Sequence, residues 1–148
     1  MECVLLIGLQ ATGKSSFFQR RFADTHVRLN LDMLRTRHRE GVFLGACLDT
    51  GQPFVVDNTN PTREERQRYI AGARAARFRV AGYLFESRID DALRRNAARE
   101  RQVPERGLRG TSARLQLPTL DEGFDTLSFV RLVEATGEFD VSEWRDEV

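Results

Sequence analysis

Apolar residues follow two periodicities that alternate along the chain. Cys3-Val4-Leu5-Leu6-Ile7-Gly8 is a continuous apolar run ending in glycine, the pattern of a parallel strand covered on both faces. From about Lys14 to Ala23 the spacing becomes helical, with Phe17, Phe18 and Phe22 on one side. Val27 to Asn30 reads as a short strand, Asp32 to about Leu48 as a helix, and Gly51-Gln52-Pro53 as a turn into the buried strand Phe54-Val55-Val56-Asp57. Thr62-Arg63-Glu64-Glu65 has the capping-box form and opens a helix to about Ala76, with Tyr69, Ile70 and Ala73 inward. Arg79 to Phe85 predicts a fourth strand, Ile89 to Arg99 a fourth helix and Leu127 to Val133 a fifth strand. Residues 100–116 carry few apolar positions and no steady period, so they read as a mobile arm or a short helix; Glu134 to Val148, with Phe139 and Trp144, reads as an acidic end. This alternation predicts an α/β sandwich built on a parallel sheet. Phe17, Phe18, Phe22, Phe43, Phe54, Phe78, Tyr83 and Phe85 fall at core-like positions rather than forming a base-stacking platform.

At 148 residues and 41% hydrophobic, the chain is expected to be one compact domain, 1–148, with enough apolar material for a core. No apolar run approaches the ~20 residues that span a bilayer, and the short N-terminal run lacks a basic leader, so the expectation is a cytoplasmic protein without a membrane partner. Cys3 and Cys47 have neither metal-ligand spacing nor a disulfide framework and read as buried thiols. The net charge of +1 conceals an uneven distribution. Residues 63–114 carry fourteen Arg against seven acids, while 115–148 carry two Arg against nine acids. The basic middle suits a polyanion such as nucleotide phosphate or nucleic acid, or is a solvated helix face. Lys14 is the only lysine in a chain with 23 basic residues, which singles it out.

Gly8-Leu9-Gln10-Ala11-Thr12-Gly13-Lys14-Ser15 satisfies G-x-x-x-x-G-K-[ST] between a predicted strand and a predicted helix. Glycines let the backbone curl so that its N–H groups point inward, and the positive end of the following helix adds to them. The segment is therefore a candidate cradle for the phosphates of ATP or another nucleoside triphosphate, with Lys14 as a compact charge between β and γ oxygens. Ser15 offers its hydroxyl to Mg²⁺, and Ser16 stands next to it. Asp57, closing a buried strand, falls in the crevice where open α/β sheets bind ligands; it is a candidate Mg²⁺ partner or a capping aspartate. Asp32 is by spacing the N-cap of the 32–48 helix. His26 and His38 read as packing, capping or surface residues.

These stretches resemble the kinase domain of polynucleotide 5′-kinases. Besides the phosphate loop, the resemblance rests on Thr25 to Asp32 with Arg35, Val55-Val56-Asp57-Asn58-Thr59-Asn60-Pro61, Arg95-Asn96 with Arg99, Val103-Pro104, and Pro118 to Phe124. It implies a P-loop kinase fold with five parallel strands in the order 2-3-1-4-5 and a lid at about 95–116. It also implies ATP- and Mg²⁺-dependent transfer of the γ-phosphoryl to the 5′-hydroxyl of RNA or DNA. Asp32 matches the family's general base, and Arg35, expected on the same helix face, matches the arginine that contacts the acceptor phosphate. Arg95 and Arg99 fall where lid arginines lie, and Arg114 matches a candidate for the base pocket. Asn30-Leu31-Asp32 stands where Asn-Arg-Asp is common, and Gln10-Ala11 where Pro-Gly is frequent. No Asp-x-Asp phosphatase signature is present, so the expectation is the kinase half alone. Two other readings stay open: phosphorylation of a small-molecule hydroxyl, and an ATP-binding or ATPase module without phosphotransfer.

Overall fold

A computed structural model describes residues 1–144. A six-stranded sheet has the order β2-β3-β1-β4-β5-β6. Its strands are β1 (Glu2–Ile7), β2 (Val27–Leu29), β3 (Phe54–Val56), β4 (Arg79–Phe85), β5 (Thr126–Val133) and β6 (Glu138–Glu143). The first five run parallel in the expected order, and β6 pairs antiparallel with β5. The helices are α1 (Lys14–Arg21), α2 (Leu31–Leu34), α3 (Arg37–Thr50), α4 (Arg63–Ala75), α5 (Ile89–Ala97) and α6 (Glu105–Arg114), with a 3₁₀ turn at Leu120–Glu122.

The central strand β1 explains why Cys3 to Ile7 is apolar at every position. Cys3, Leu5 and Ile7 enter one buried layer with Phe54, Val56, Tyr69 and Ile70, while Val4 and Leu6 enter the opposite layer with Phe17, Phe18, Phe22 and Phe85. Both faces are covered, so β1 shows no alternation. Both cysteines are free and buried. Among the described residues no helix is long and apolar enough to cross a membrane.

Four expectations are corrected or refined. The acidic end is a strand as far as Glu143: Phe139 turns inward onto Phe17 and Phe85 at ring-centroid distances of 5.3 and 6.3 Å, while Glu138, Asp140 and Ser142 face solvent. Charged side chains suit this exposed sheet edge, and only Phe139 and Val141 carry its alternation in the sequence; the rest of that end, 145–148, lies outside the described residues. The 32–48 helix is two helices, because Arg35 takes φ 77° and Thr36 starts α3 afresh, its hydroxyl accepting from Arg39 N. Phe43 is 49% exposed: α3 turns Glu40, Leu44, Cys47 and Leu48 inward and leaves Val42 and Phe43 beside that stripe. The arm at 100–116 contains α6, anchored by Leu108, which is fully buried with Leu9 and Ala92. One deeply buried leucine is too little to register as a period.

Candidate active site

The phosphate loop leaves β1 at Gly8, whose N–H donates to Thr59 O at 3.0 Å. A Cβ at Gly8 would stand 2.9 Å from Ser87 Oγ, so the turn needs glycine on packing grounds. Ala11 (φ 63°) and Gly13 (φ 97°) take left-handed conformations that curl the loop. Gly13 caps α1 without a side-chain hydrogen bond, and the first turn of α1 holds no acid. The first N–H groups of the helix are thus available to an anion. Thr12 Oγ1 braces the loop by donating to Leu9 O at 2.8 Å.

Lys14 folds back into the loop, donating to Gly8 O at 2.9 Å and to Leu9 O, and is 8% exposed. Burial lowers its pKa to about 8; Asp57 opposes that shift, while the Arg99 charge adds to it. An arriving phosphate favours the charged amine. Nucleotide affinity should therefore be flat below about pH 8 and fall above it, by up to about tenfold per pH unit, as binding comes to require uptake of a proton. Fluorescent-nucleotide titrations from pH 7 to 9.5 measure this, and unchanged affinity at pH 9.5 contradicts it.

Asp57 closes β3 with its carboxylate 2% exposed. Its Oδ2 accepts from Ser15 Oγ at 3.0 Å and from Arg28 Nε at 2.8 Å, and Arg28 Nη2 donates to Ser15 Oγ at 3.0 Å. Ser15 and Asp57 supply hard oxygen donors side by side at the head of α1, a set that fits Mg²⁺ with further ligands from phosphate and water. Among the described residues no group of three or more His, Cys, Asp or Glu could hold a metal ion. The sequence reading missed Arg28. The signal was strand alternation, since Leu29 faces the α3/α4 layer and its neighbour must face the phosphate loop.

The segment after β3 wires the site together. Asn58 Oδ1 accepts from Leu31 N at 2.9 Å, and its Nδ2 donates to Glu40 Oε2 at 3.0 Å. Asn60, at φ 46°, donates to Leu6 O at 2.7 Å and passes its own carbonyl to Arg66. Glu40 is 2% exposed and also accepts from Tyr69 Oη at 2.8 Å and Arg37 Nη1 at 3.0 Å. Burial and the Glu40 carboxylate push the Tyr69 phenol up to about 12, so it keeps its proton and donates.

Asn30, not Asp32, caps α2: its side chain accepts from Met33 N at 3.0 Å while its amide donates to Asp57 O. Asp32 sits exposed in the first turn of α2 and lines a cleft of about 500 Å³ together with Lys14, Asp57, Arg95 and Arg99. Gly13, Gln10, Ala11, Ser15 and Ser16 also line this cleft. Arg35 does not share a helix face with Asp32. It is the C-cap of α2 in a left-handed turn, exposed beside the cleft rather than within its lining. Arg95 Nε donates to Glu134 at 2.7 Å, and Arg94 pairs with the same carboxylate. The two arginines hold Glu134 below the ordinary carboxylate range by donating to it. Asn96 clamps the chain beyond α5, donating to Val103 O at 2.6 Å and accepting from Val103 N at 2.8 Å. Arg114 is not brought to the cleft; it pairs with Glu65 of α4. Arg114 ends α6, and a basic residue in a last helical turn carries no signal of which way it faces. His26 bonds Thr25 and Glu2 and packs on Phe22, outside the cleft.

A family model described as an AAA domain matches residues 35–118, more than half of the chain. A bifunctional polynucleotide phosphatase/kinase of Schizosaccharomyces pombe is 29% identical over 135 residues, which is 87% of this chain and 33% of that protein. The chain thus spans about a third of its relative's length. Three solved structures share the fold. A sugar kinase from Janibacter sp. HTCC2649 superposes with a TM-score of 0.65 at 18% identity, covering 87% of this chain and 85% of the other. Kti12 of Chaetomium thermophilum in complex with ADP-AlF3 gives 0.64 at 13%, covering 88% and 89%. A gluconokinase from Sinorhizobium meliloti 1021 gives 0.62 at 16%, covering 86% and 82%.

Proposed function

The chain belongs to the AAA-domain family and has the P-loop kinase fold, and from that premise we propose that it is an ATP- and Mg²⁺-dependent polynucleotide 5′-hydroxyl kinase. The observation that carries the reading is the placement of Asp32: exposed, at the mouth of the cleft, on a helix wired through Asn30 and Asn58 to the strand that ends in Asp57. A carboxylate there can take the proton of a hydroxyl that approaches from solvent while the phosphate loop holds the donor. The resemblance in the Asp57-Asn58-Thr59-Asn60-Pro61 segment and the relative in S. pombe point to a nucleic-acid end as that hydroxyl.

On this reading the 5′-oxygen bonds to the γ-phosphorus as the bond to the β-bridging oxygen breaks, and the hydroxyl proton passes to Asp32. Lys14 exchanges its loop carbonyls for β and γ oxygens, and the α1 N-terminus receives the same phosphates. Mg²⁺ held by Ser15 and Asp57 would neutralise charge on those oxygens. Arg95 and Arg99, at the other wall of the cleft, supply guanidinium to the transferring group. Arg35, the exposed C-cap of the helix that carries Asp32, is the basic group nearest in sequence to it, whereas Arg37 is paired with Glu40. An exposed arginine beside Asp32 suits an acceptor that carries a phosphate next to its hydroxyl.

A nucleoside 3′-phosphate should be a good minimal acceptor, since it joins a 5′-hydroxyl to one anchoring phosphate, and an unphosphorylated nucleoside should be poor. Arg35→Ala should narrow this gap by raising KM for the phosphorylated acceptor about tenfold, the weight of one charge-assisted contact. Steady-state transfer assays measure both. Equal use of the two acceptors by the wild type points instead to a small-molecule hydroxyl.

A further inference from the structure

The guanidinium of Arg28 bonds both of the groups assigned to the metal, which also bond each other. We propose that Arg28 is the resident counter-cation of the Mg²⁺ position in the nucleotide-free protein, excluding free divalent ions and giving way only when a nucleotide brings further oxygen ligands. The proposal rests on the reading of Ser15 and Asp57 as metal ligands.

The Asp57 carboxylate is almost fully buried, and a buried carboxylate without a cation is costly. Arg28 meets that need with its planar fork. Nε donates to Asp57 Oδ2 at 2.8 Å, and Nη2 donates to Ser15 Oγ at 3.0 Å and lies 2.8 Å from Asp57 Oδ2. The same hydroxyl and the same carboxylate oxygen are thus engaged by one group. An ammonium, being a point charge, lacks the fork that spans both. The backbone of Arg28 is fixed by pairing with Val55 in the sheet, and its Cζ lies 5.8 Å from the centre of the Phe18 ring. This lodging is firm but has an exit, because the Arg28 side chain is 26% exposed while Asp57 is closed off.

The balance between the two cations follows from their hydration. Mg²⁺ sheds water reluctantly and binds poorly to one carboxylate and one hydroxyl, so against an arginine already in place free Mg²⁺ should lose. Phosphate oxygens add ligands and charge that a single guanidinium cannot match. Arg28 can then leave toward solvent without stranding Asp57. The site would load metal and nucleotide together.

Mn²⁺ binding to the nucleotide-free full chain, read by electron paramagnetic resonance, tests this alongside thermal melting in 0 and about 10 mM MgCl₂. Wild type should bind Mn²⁺ weakly and melt at the same temperature in both buffers. Arg28→Leu should melt lower without metal, regain stability with Mg²⁺, and bind Mn²⁺ at least about tenfold more tightly, with Asp57→Asn in the same background abolishing the gain. Should Arg28→Leu fail to fold without metal, Arg28→Lys decides. With the charge kept and the fork lost, it should bind Mn²⁺ more tightly than wild type, and wild-type affinity overturns the proposal. Equal Mn²⁺ affinity in wild type and Arg28→Leu, while both still bind Mn²⁺ with ATP present, overturns the role of Arg28 alone. If Asp57→Asn leaves Mn²⁺ binding in the presence of ATP unchanged, the assignment of the metal position itself fails.

Discussion

Asp32→Asn should lower phosphoryl transfer to a 5′-hydroxyl oligonucleotide by about 10²–10⁴ while leaving ATP affinity near wild type. Asp32 makes no contact that builds the phosphate loop. It lies exposed in the first turn of α2, and the hydrogen bonds that hold that helix come from Asn30 and Asn58 instead. Removing its negative charge therefore removes a proton acceptor without unseating the donor site. Lys14→Ala should fail in a different way, weakening ATP binding and turnover together, because Lys14 reaches the loop where the phosphates would lie. Single-turnover transfer with ATP titrations on both variants separates the two. Wild-type transfer by Asp32→Asn removes the general-base role.

Glu122→Ala should destabilise the protein by about 3–5 kcal/mol, lowering Tm by roughly 10 °C or more for a domain of this size. Arg66 and Glu122 are 0% and 1% exposed and form a bidentate pair, Nε to Oε1 at 2.7 Å and Nη2 to Oε2 at 3.0 Å. Truncating one partner leaves a buried charge with nothing to offset it. The pair also closes two backbone groups: Arg66 Nη1 donates to Asn60 O at 3.0 Å, and Glu122 Oε2 accepts from Thr119 N at 2.9 Å. Replacing both by Met and Leu should accordingly recover only part of the loss, because Asn60 O and Thr119 N stay unsatisfied. Differential scanning calorimetry reads both values. A drop under about 2 °C for Glu122→Ala contradicts a buried, mutually dependent pair.

Local chemistry made the frame legible, and long-range pairing hid the rest. The β1 run, the glycines before Lys14 and the Thr62 cap each announce their structure within a few residues, and the strand order 2-3-1-4-5 holds. β6 escaped because only two apolar residues, Phe139 and Val141, mark its alternation, and the break at Arg35 because no glycine or proline marks it. The stretches that carried the resemblance turn out to be largely wiring. Asn58 and Asn60 tie β1 to α2 and α4, Asn96 clamps Val103, and Glu122 anchors Arg66. The partnership of Arg28 with Ser15 and Asp57 joins residues 13 to 42 positions apart, and that of Arg95 with Glu134 joins residues 39 apart. Such contacts become visible only when the strands are placed side by side. Arg28 could have been drawn from alternation once β2 was oriented, whereas nothing local states that Arg114 meets Glu65.

The most direct test of the central claim is transfer from γ-labelled ATP, with Mg²⁺, to a 5′-hydroxyl oligonucleotide, run beside the same strand already carrying a 5′-phosphate and beside a sugar acid such as gluconate. Label should enter the 5′-hydroxyl strand alone, with a rate that falls as salt rises because the acceptor binds through its phosphates. Label in the sugar acid and none in the strand, or ATP consumed with label in neither, would contradict a polynucleotide kinase.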